Sequence, residues 1–294
     1  MLLSVVHVNI KKTKKVFFLF DNYDIRMIWG VNDMTEVIKD IFSLNDEQLA
    51  NYVRDRVIEL EISSDDSKHM LPVIQEGFIS KNTEIKTSDS DKVGYCMEGI
   101  DYLEYVKYLR REVNDYNDID LIAYTAHYVS NYFNSDLCIN REDKRKDIIY
   151  ESSLSLEDDK LPSINCLKSG EQALCLEHSV LFQNLLSFLG FDVSCFLLIA
   201  LVNNEIKGHT VNIIHLSIDN EFKHLYYDMV SMEVYDDDYV GPIVRLVSDA
   251  EYNKFIQGIV PLSIVRKCRG EYEVTLYLPK SLNNLKEMKL RIKQ

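Results

Sequence analysis

The sequence lacks the features by which membrane, secreted and metal-binding proteins are commonly recognised. No apolar run is long enough to span a bilayer, since even FLLIALV is too short. The opening MLLSVVHVNIKKTKKV places apolar residues before its lysines, which is the reverse of a secretory signal peptide. Six cysteines occur without CxxC or CxxH spacing and predict neither a zinc site nor a disulfide framework. We therefore expect a cytoplasmic protein with no metal and no membrane contact.

Positive charge and glycine-rich loops are also scarce. The 33 lysines and arginines against 47 aspartates and glutamates give a formal net charge of −14, which argues against nucleic acid as a partner. The chain has no glycine-rich phosphate loop, which argues against nucleotide-driven ligation, and no cofactor is predicted. The length of 294 residues suggests two domains, or one domain with a sizeable appendage, and 46% hydrophobic residues are enough to build real cores. The acidic balance suits a basic peptide or a small-molecule substrate, although it also serves solubility alone.

The most informative stretch is 169–230, which predicts one helix followed by strands. Apolar residues are too dense across 174–189 for a surface helix and indicate a helix buried in a core, closed by Gly190. The runs FDVSCFLLIALV and HTVNIIHLSI are rich in β-branched and aromatic residues and predict two strands. A shorter run at 225–230 carries Asp228 and predicts a third strand.

Three residues of this stretch have the types and order of a thiol enzyme. Cys175 falls where the helix begins, and the unpaired N–H groups and dipole there favour thiolate over thiol. His209 would form a thiolate–imidazolium pair with it, and Asp228 would fix the tautomer of the imidazole. Gln172, three residues before the cysteine, is placed to donate to an oxyanion.

Other polar residues near these positions have two interpretations each. Glu177 and His178 lie within one helical turn of Cys175 and are candidates for contacting substrate, or else a solvated acid and a packed histidine. The acidic run at 235–239 is a candidate metal or basic-substrate site, but a solvated turn is the simpler interpretation. The remaining cysteines that we considered are interpreted as packing residues, namely Cys138, Cys166 and Cys195.

The helix and the residues after it resemble the catalytic core of the transglutaminase-like superfamily of papain-fold thiol enzymes. The superfamily pattern C-x-x-x-(S/A)-x-L-x-x-x-L-L-x-x-L-G is matched from Cys175 to Gly190, and His209 and Asp228 follow in the family's order. The run CLEHSVLF is also similar to arylamine N-acetyltransferases, which have a C-x-E-x-N pattern before L-F. The resemblance implies an α+β domain, with the catalytic helix packed on an antiparallel sheet, and Cys175, His209 and Asp228 as its triad.

The resemblance leaves three functions open. The first is a cysteine peptidase that acts on a peptide through a thioester intermediate. The second is an acyltransferase or amide-forming enzyme that uses an acyl donor, and the third is a peptide-binding scaffold without catalysis. We favour the peptidase because the N-terminal part of the chain is suited to presenting a peptide.

That N-terminal part, residues 1–85, is predicted as a separate small domain. It reads as a β-ribbon followed by three helices, over 34–42, from an Asn45 or Asp46 cap onward, and over 67–79. This order resembles a winged-helix domain, and more particularly the leader-peptide recognition element of ribosomal peptide natural-product pathways. The resemblance implies a leader peptide as partner and leader removal as the reaction, whereas a helical cap or dimerisation module is the plainer alternative.

Residues 86–294 are predicted as the transglutaminase-like catalytic domain. A polar linker at 81–94 precedes two amphipathic helices, which begin near Ile100 and at Asp120. The heavily charged span 135–163 is predicted as an exposed loop over the site. A short helix capped by Ser248 or Asp249 and a closing hairpin turning at 270–271 complete the domain.

Overall fold

The chain folds as a mixed α+β protein built on antiparallel sheets. Its computed structural model describes residues 3–10, 13–20, 23–24, 41–64, 74–86, 94–113, 117–133, 142–157, 160–168, 173–202, 205–218, 221–229, 243–268 and 271–279. Within these ranges, no helix is long and apolar enough to cross a membrane.

Most strands belong to one sheet with the order β11-β12-β7-β8-β9-β10-β1-β2-β3, while β5 and β6 form a small ladder of their own. The strands are β1 (Leu3–Ile10), β2 (Thr13–Phe20), β3 (Tyr23–Asp24), β4 (Ile74–Glu76), β5 (Ile85–Lys86), β6 (Gly94–Tyr95), β7 (Asp192–Val202), β8 (Glu205–Ile218), β9 (Glu221–Asp228), β10 (Ile243–Ser248), β11 (Leu262–Cys268) and β12 (Glu271–Pro279). The helices are α1 (Asp46–Ser63), α2 (Tyr102–Glu112), α3 (Asp118–Phe133), α4 (Glu142–Ser153), a 3₁₀ turn (Ile164–Leu167), α5 (Cys175–Phe188) and α6 (Asp249–Ile256).

The sheet is buried on both faces because its central strands alternate between two hydrophobic cores. One face packs on helices α1, α2, α3 and α5 through Val193, Ile214, Leu216 and Tyr227. The other face packs on α6 through Phe196, Val211, Ile213 and Tyr226, and the β11–β12 hairpin of the same sheet adds Leu262 and Tyr277 to it. The candidate cysteine is on a helix of the first core, whereas the hairpin behind the candidate histidine belongs to the second.

Helix α5 is the core helix that its apolar density predicts. Every side chain from Leu176 to Phe188 is buried. Gly190 has a φ of 92°, and the N–H of Phe191 donates to the carbonyl of Leu186 at 3.0 Å, which completes a left-handed C-terminal cap. The predicted closing glycine and the predicted start at Cys175 are both confirmed.

Strand β4 corrects one of the predicted helices. Residues 74–76, which the sequence placed in a helix over 67–79, form a strand that pairs with Ser194–Phe196 of β7. β12 pairs with the next part of the same β7 edge, Leu198–Leu201, so the two strands share that edge end to end. Pairing satisfies the backbone groups of β7 that β12 leaves open, and this long-range need is invisible to local periodicity.

The N-terminal ribbon extends the large sheet. β1 pairs along its whole length with β2, and its Leu3 and Ser4 pair with Val244 and Ile243 of β10. Helix α1 begins as predicted after Asn45, whose side chain forms a capping box with Gln48. Leu49 and Val53 of α1 belong to the same core as α5. The predicted helix at 34–42 lies almost entirely outside the described residues, and a domain boundary at 85/86 stays a prediction.

Two predicted irregular segments contain regular structure. The ends of the predicted linker pair as strands, with Ile85 opposite Tyr95 and Lys86 opposite Gly94. The predicted loop at 135–163 contains α4, so that prediction was wrong for 142–153. The helix was not recognised because one of its buried residues is charged. Arg145 and Ile149 are both buried, but an arginine is normally expected on the exposed face. The α6 cap at Ser248 and the β11–β12 hairpin are confirmed.

Candidate active site

Cys175 is the first residue of α5, immediately after the N-cap residue Leu174. Its side chain is half-buried and its thiol is free. The first N–H groups of a helix have no acceptor within the helix, so a sulfur at this position faces positive partial charge. The density of apolar residues behind Cys175 holds the helix in the core and therefore fixes where the thiol points.

His209 and Asp228 lie where strands β8 and β9 separate. Their ladder runs from Ile218 and Glu221 to its last pair, Asn212 opposite Tyr227. Beyond that pair, β9 turns to β10 and β8 continues beside β7 alone, with His209 opposite Leu198. The register places His209 on the same face of the sheet as Leu198 and Asp228 on the same face as Tyr226, which is the face of the second core for both.

The His209 and Asp228 side chains meet in a buried ion pair. Nε2 of the imidazole is 2.9 Å from Oδ2 of the carboxylate, and the two side chains are only 3% and 2% exposed. Nδ1 is also buried and has no hydrogen-bond partner among the described residues. The Cys175 thiol and the His209 ring favour each other's charged forms, so the two side chains are neighbours.

The electrostatics of the three groups favour a thiolate–imidazolium pair. Burial alone would lower the pKa of His209, but the Asp228 carboxylate and the Cys175 sulfur raise it to about 10. Burial likewise raises the pKa of the Cys175 thiol, but the hydrogen bond and charge of His209 outweigh it and leave that pKa below its ordinary value. The structure therefore brings the predicted Cys175, His209 and Asp228 together in the predicted order.

Strand β8 also holds the start of α5 through its backbone. The N–H of Thr210 interacts with the Cys175 sulfur and contributes to its lowered pKa. The Ser179 hydroxyl donates to the Thr210 carbonyl at 3.2 Å, and Asn212 Nδ2 donates to the Ser179 carbonyl at 3.0 Å. These bonds fix α5 against β8, and thereby the thiol against the imidazole. Thr210 was missed in the sequence because a backbone contact has no side-chain signature.

Glu177 is fully buried, with its carboxylate directed at the start of α5. Oε2 accepts the backbone N–H of Leu174 at 2.8 Å and lies 3.2 Å from Nη1 of Arg145, a buried residue of α4. The predicted contact of Glu177 with substrate stays a prediction, while its observed contacts are with the protein. The sequence analysis did not identify Arg145. Its spacing of three and four residues from Ile148 and Ile149 is the local signal that could have placed it on the same helix face as these apolar residues.

His178 points away from the thiol into the helical core. Its Nδ1 is 2.8 Å from the carbonyl of Leu174, and its ring packs 4.9 Å from that of Phe133 on α3. Burial lowers the pKa of His178, which favours a neutral ring that donates to that carbonyl. These contacts are those of a packed histidine, and its contact with substrate remains only a prediction.

Tyr277 of β12 packs against the back of the candidate imidazole. Its ring lies 5.7 Å from that of His209 at an angle of 29°, and its side chain is 2% exposed. This stacking excludes water from one side of the His209–Asp228 pair. No pattern in the β12 sequence distinguished this tyrosine from other inward-facing residues of a hairpin.

Several predicted positions lie outside the described residues, namely Gln172, the acidic run at 235–239 and Cys138. Cys195 is fully buried, as expected of a packing residue, and burial raises its pKa. Cys166 is half-buried against the main core, and its pKa is raised by burial as well. Within the ranges that are described, no group of three or more histidine, cysteine, aspartate or glutamate side chains is placed to bind a metal ion.

No protein-family model, curated protein or solved structure matches the chain. The geometry of the site is therefore the basis for assigning it a function.

Proposed function

We propose that the chain is a cysteine peptidase of the transglutaminase-like, papain-fold type that acts on a peptide through a thioester. The observation that carries the proposal is the buried His209–Asp228 ion pair beside the half-buried Cys175 thiol, with the carboxylate on Nε2 and no other hydrogen-bond partner for Nδ1 among the described residues. A structural cysteine needs neither group, and a buried ion pair beside it costs desolvation energy that packing alone does not recover.

The reaction divides into two steps that this line supports. The Cys175 thiolate attacks the peptide carbonyl carbon, and the tetrahedral intermediate collapses as the C–N bond breaks and His209 gives its proton to the leaving amine. Water then attacks the thioester while His209 takes one of its protons. Breaking of the C–S bond releases the carboxylic acid and restores the thiolate. Asp228 holds the imidazole orientation and stabilises its charged form throughout.

The first N–H groups of α5 would stabilise the developing oxyanion. They adjoin the sulfur and have no acceptor within the helix, so they offer fixed donors at low reorganisation cost. Gln172 keeps its predicted role as a further donor in this proposal.

A peptide is the favoured substrate because the N-terminal ribbon offers a sheet edge. Among the described residues, β1 pairs with β10 only at Leu3 and Ser4, although it pairs with β2 along its whole length. An extended leader peptide would add to the remainder of that edge as a strand. The proposal also places the protein in the cytoplasm, where Cys175 and the other free thiols remain reduced.

The decisive test is the pH dependence of Cys175 alkylation by iodoacetamide, followed on the Cys175 peptide by mass spectrometry. We expect an apparent pKa well below the ordinary value of about 8.5, which rises in His209→Ala. An ordinary thiol that is indifferent to His209→Ala would contradict the proposal and favour the binding-scaffold alternative.

Product analysis then separates the two enzymatic alternatives. A library of peptides is incubated with the protein and with Cys175→Ala, with and without an added amine. We expect new carboxyl termini that depend on Cys175. A new amide to the added amine, with no free acid, would instead identify an acyltransferase.

A further inference from the structure

Helix α4 contributes a buried cation to the start of the catalytic helix. Nη1 of Arg145 lies 3.4 and 3.2 Å from the two carboxylate oxygens of Glu177, and the two side chains are 4% and 0% exposed. The pair connects α4, which the sequence placed in a loop, to the first turn of α5. Ion pairs this deeply buried often give no net stability, because removing two charges from water costs as much as their attraction returns. A role in the site is therefore a better reason for its presence than stability.

Glu177 has a second contact that fixes the position of Cys175. Its Oε2 accepts the N–H of Leu174, the residue that immediately precedes the cysteine, at 2.8 Å. Because Glu177 is itself in the first turn of α5, this bond closes the turn around Cys175 and sets the direction of the helix start. The same contact places a carboxylate close to the sulfur.

A carboxylate in that position works against a thiolate. The charge of Glu177 opposes ionisation of Cys175, whereas Arg145 and Cys175 attract each other. The other titratable groups that interact with Glu177 are Tyr95, Cys166 and His178. Burial raises the pKa of Tyr95 and of Cys166 and lowers the pKa of His178, which favours the neutral form of each. Among the described groups around the carboxylate, Arg145 is thus the cation that offsets it.

We propose that Arg145 and Glu177 form a positioning pair for the Cys175 thiolate, in which Glu177 fixes the first turn of α5 and Arg145 balances its charge beside the sulfur. The inference rests on the proposed function, since it concerns how the same thiol is activated. It assigns to α4 a part in the active site and identifies neither residue as a group that touches substrate. Removal of the arginine alone leaves an uncompensated buried carboxylate near the sulfur. Removal of both charges leaves no carboxylate there to oppose the thiolate.

The test is a double-substitution cycle on the apparent pKa of Cys175, measured by iodoacetamide alkylation of the full chain between pH 5 and 10. In Arg145→Met we expect that pKa to rise by about one unit, so that alkylation slows about tenfold at pH values below the wild-type pKa. Glu177→Gln should lower the pKa, and the double variant should return it to within about half a unit of wild type. Arg145→Lys, which keeps the charge, should restore most of the reactivity.

Arg245→Met is the matched control, because Arg245 forms a 3.0 Å ion pair with the half-exposed Glu251 near α6. This variant should leave the pKa of Cys175 unchanged. If Arg145→Met fails to fold, Glu177→Gln still tests the inference, since an unchanged or raised pKa there contradicts it. A merely structural pair would lower the stability of the variants without moving the pKa of Cys175.

The outcomes separate the two proposals. An unactivated Cys175 in the wild-type protein overturns the proposed function and this inference together. A low wild-type pKa that rises in His209→Ala but is indifferent to Arg145→Met and Glu177→Gln overturns only the positioning pair.

Discussion

Strands β8 and β9 carry the histidines of two histidine–carboxylate pairs, and the differences between the pairs show what turns an imidazole into a candidate catalyst. His209 pairs with Asp228 at 2.9 Å, and His224 pairs with Asp249 at 3.2 Å. The Asp228 side chain is 2% exposed, whereas that of Asp249 is 59% exposed, so water screens only the second pair. The types of residue are the same, and burial of the carboxylate is the first difference.

The second difference lies in the remaining ring nitrogen. Nδ1 of His209 has no hydrogen-bond partner among the described residues, whereas Nδ1 of His224 lies 2.7 Å from Nδ1 of His215, so one of these two rings donates a hydrogen bond to the other. The pKa of His209 is raised to about 10 by Asp228 and Cys175 against the effect of burial. The pKa of His215 is lowered by burial and by His224, although Asp192 and Glu76 oppose this. We refer to these two regions as the triad end and the histidine-pair end of the hairpin.

The largest contrast is expected from neutralising the two carboxylates. Asp228→Asn removes the charge that stabilises the imidazolium, and it should slow Cys175-dependent turnover by about a hundredfold or more. Asp249→Asn should leave turnover unchanged, since Asp249 is mostly exposed and its histidine faces no nucleophile. Turnover and iodoacetamide reactivity are measured for both variants. Equal losses in both would show that the triad end has no special role.

Substitution of the stacked tyrosines should reveal a second contrast, in stability. Tyr277 is buried against His209, whereas Tyr252 is only partly buried and stacks 4.1 Å from His224. Tyr277→Ala should reduce the free energy of unfolding by about 3–5 kcal/mol, and Tyr252→Ala by about 1–3 kcal/mol. Urea denaturation measures both. Tyr277→Phe is the control that keeps the stacked ring, and a loss as large as in Tyr277→Ala would contradict the packing argument.

The stability contributed by the histidines at the two ends should depend on pH in opposite directions. The effect is best measured in Cys175→Ala, in which residue 175 does not titrate. The raised pKa of His209 means that the folded state keeps a proton which the unfolded chain releases above about pH 6.5. Its contribution is therefore complete below that pH and is lost as pH rises through the folded pKa, by at most about 1.4 kcal/mol per unit. The lowered pKa of His215 acts in the reverse direction, since its contribution is present above about pH 6.5 and lost as pH falls.

These windows are measured by urea unfolding of the Cys175→Ala protein between pH 5 and 9. His209→Gln in that background should reduce the loss of unfolding free energy at alkaline pH. His215→Gln should reduce the corresponding loss at acid pH. The prediction concerns differences between variants, because other groups titrate over the same range. If His209→Gln reduced the acid loss instead, or His215→Gln the alkaline loss, the assigned pKa directions would be wrong.

The sequence predicted the helix and strands that carry Cys175, His209 and Asp228 far better than it predicted the contacts that hold them together. Cys175 at a helix start, Gly190 at the helix end and the strands that carry His209 and Asp228 all follow from local patterns, namely apolar density, a glycine cap and β-branched runs. What local patterns could not give is the point where β8 and β9 separate, since the length of a ladder depends on what each strand does next. His209 and Asp228 meet just beyond the last pair of that ladder.

The residues that the sequence missed act through contacts distant along the chain. Arg145 lies in a run of mixed charge, and burial of its guanidinium depends on Glu177, which is 32 positions away. Ile74–Glu76 becomes a strand because one edge of β7 is open there, although its own sequence suits a helix. Periodicity reports which face of an element is apolar, and it carries no information about an ion pair or a strand pairing completed by another element.

The smallest predicted contrast involves two fully buried serines, one at each end of the hairpin. The Ser179 hydroxyl donates to the Thr210 carbonyl at 3.2 Å, and Ser194 Oγ lies 3.1 Å from Nε2 of His215. Each Ser→Ala substitution should reduce the free energy of unfolding by about 1 kcal/mol, since each removes one buried hydrogen bond. Only Ser179→Ala should also slow the alkylation of Cys175, because of the two serines only Ser179 ties α5 to the strand that holds His209. A slower reaction in Ser194→Ala as well would mean that general loosening of the fold, rather than the geometry of the triad end, controls the thiol.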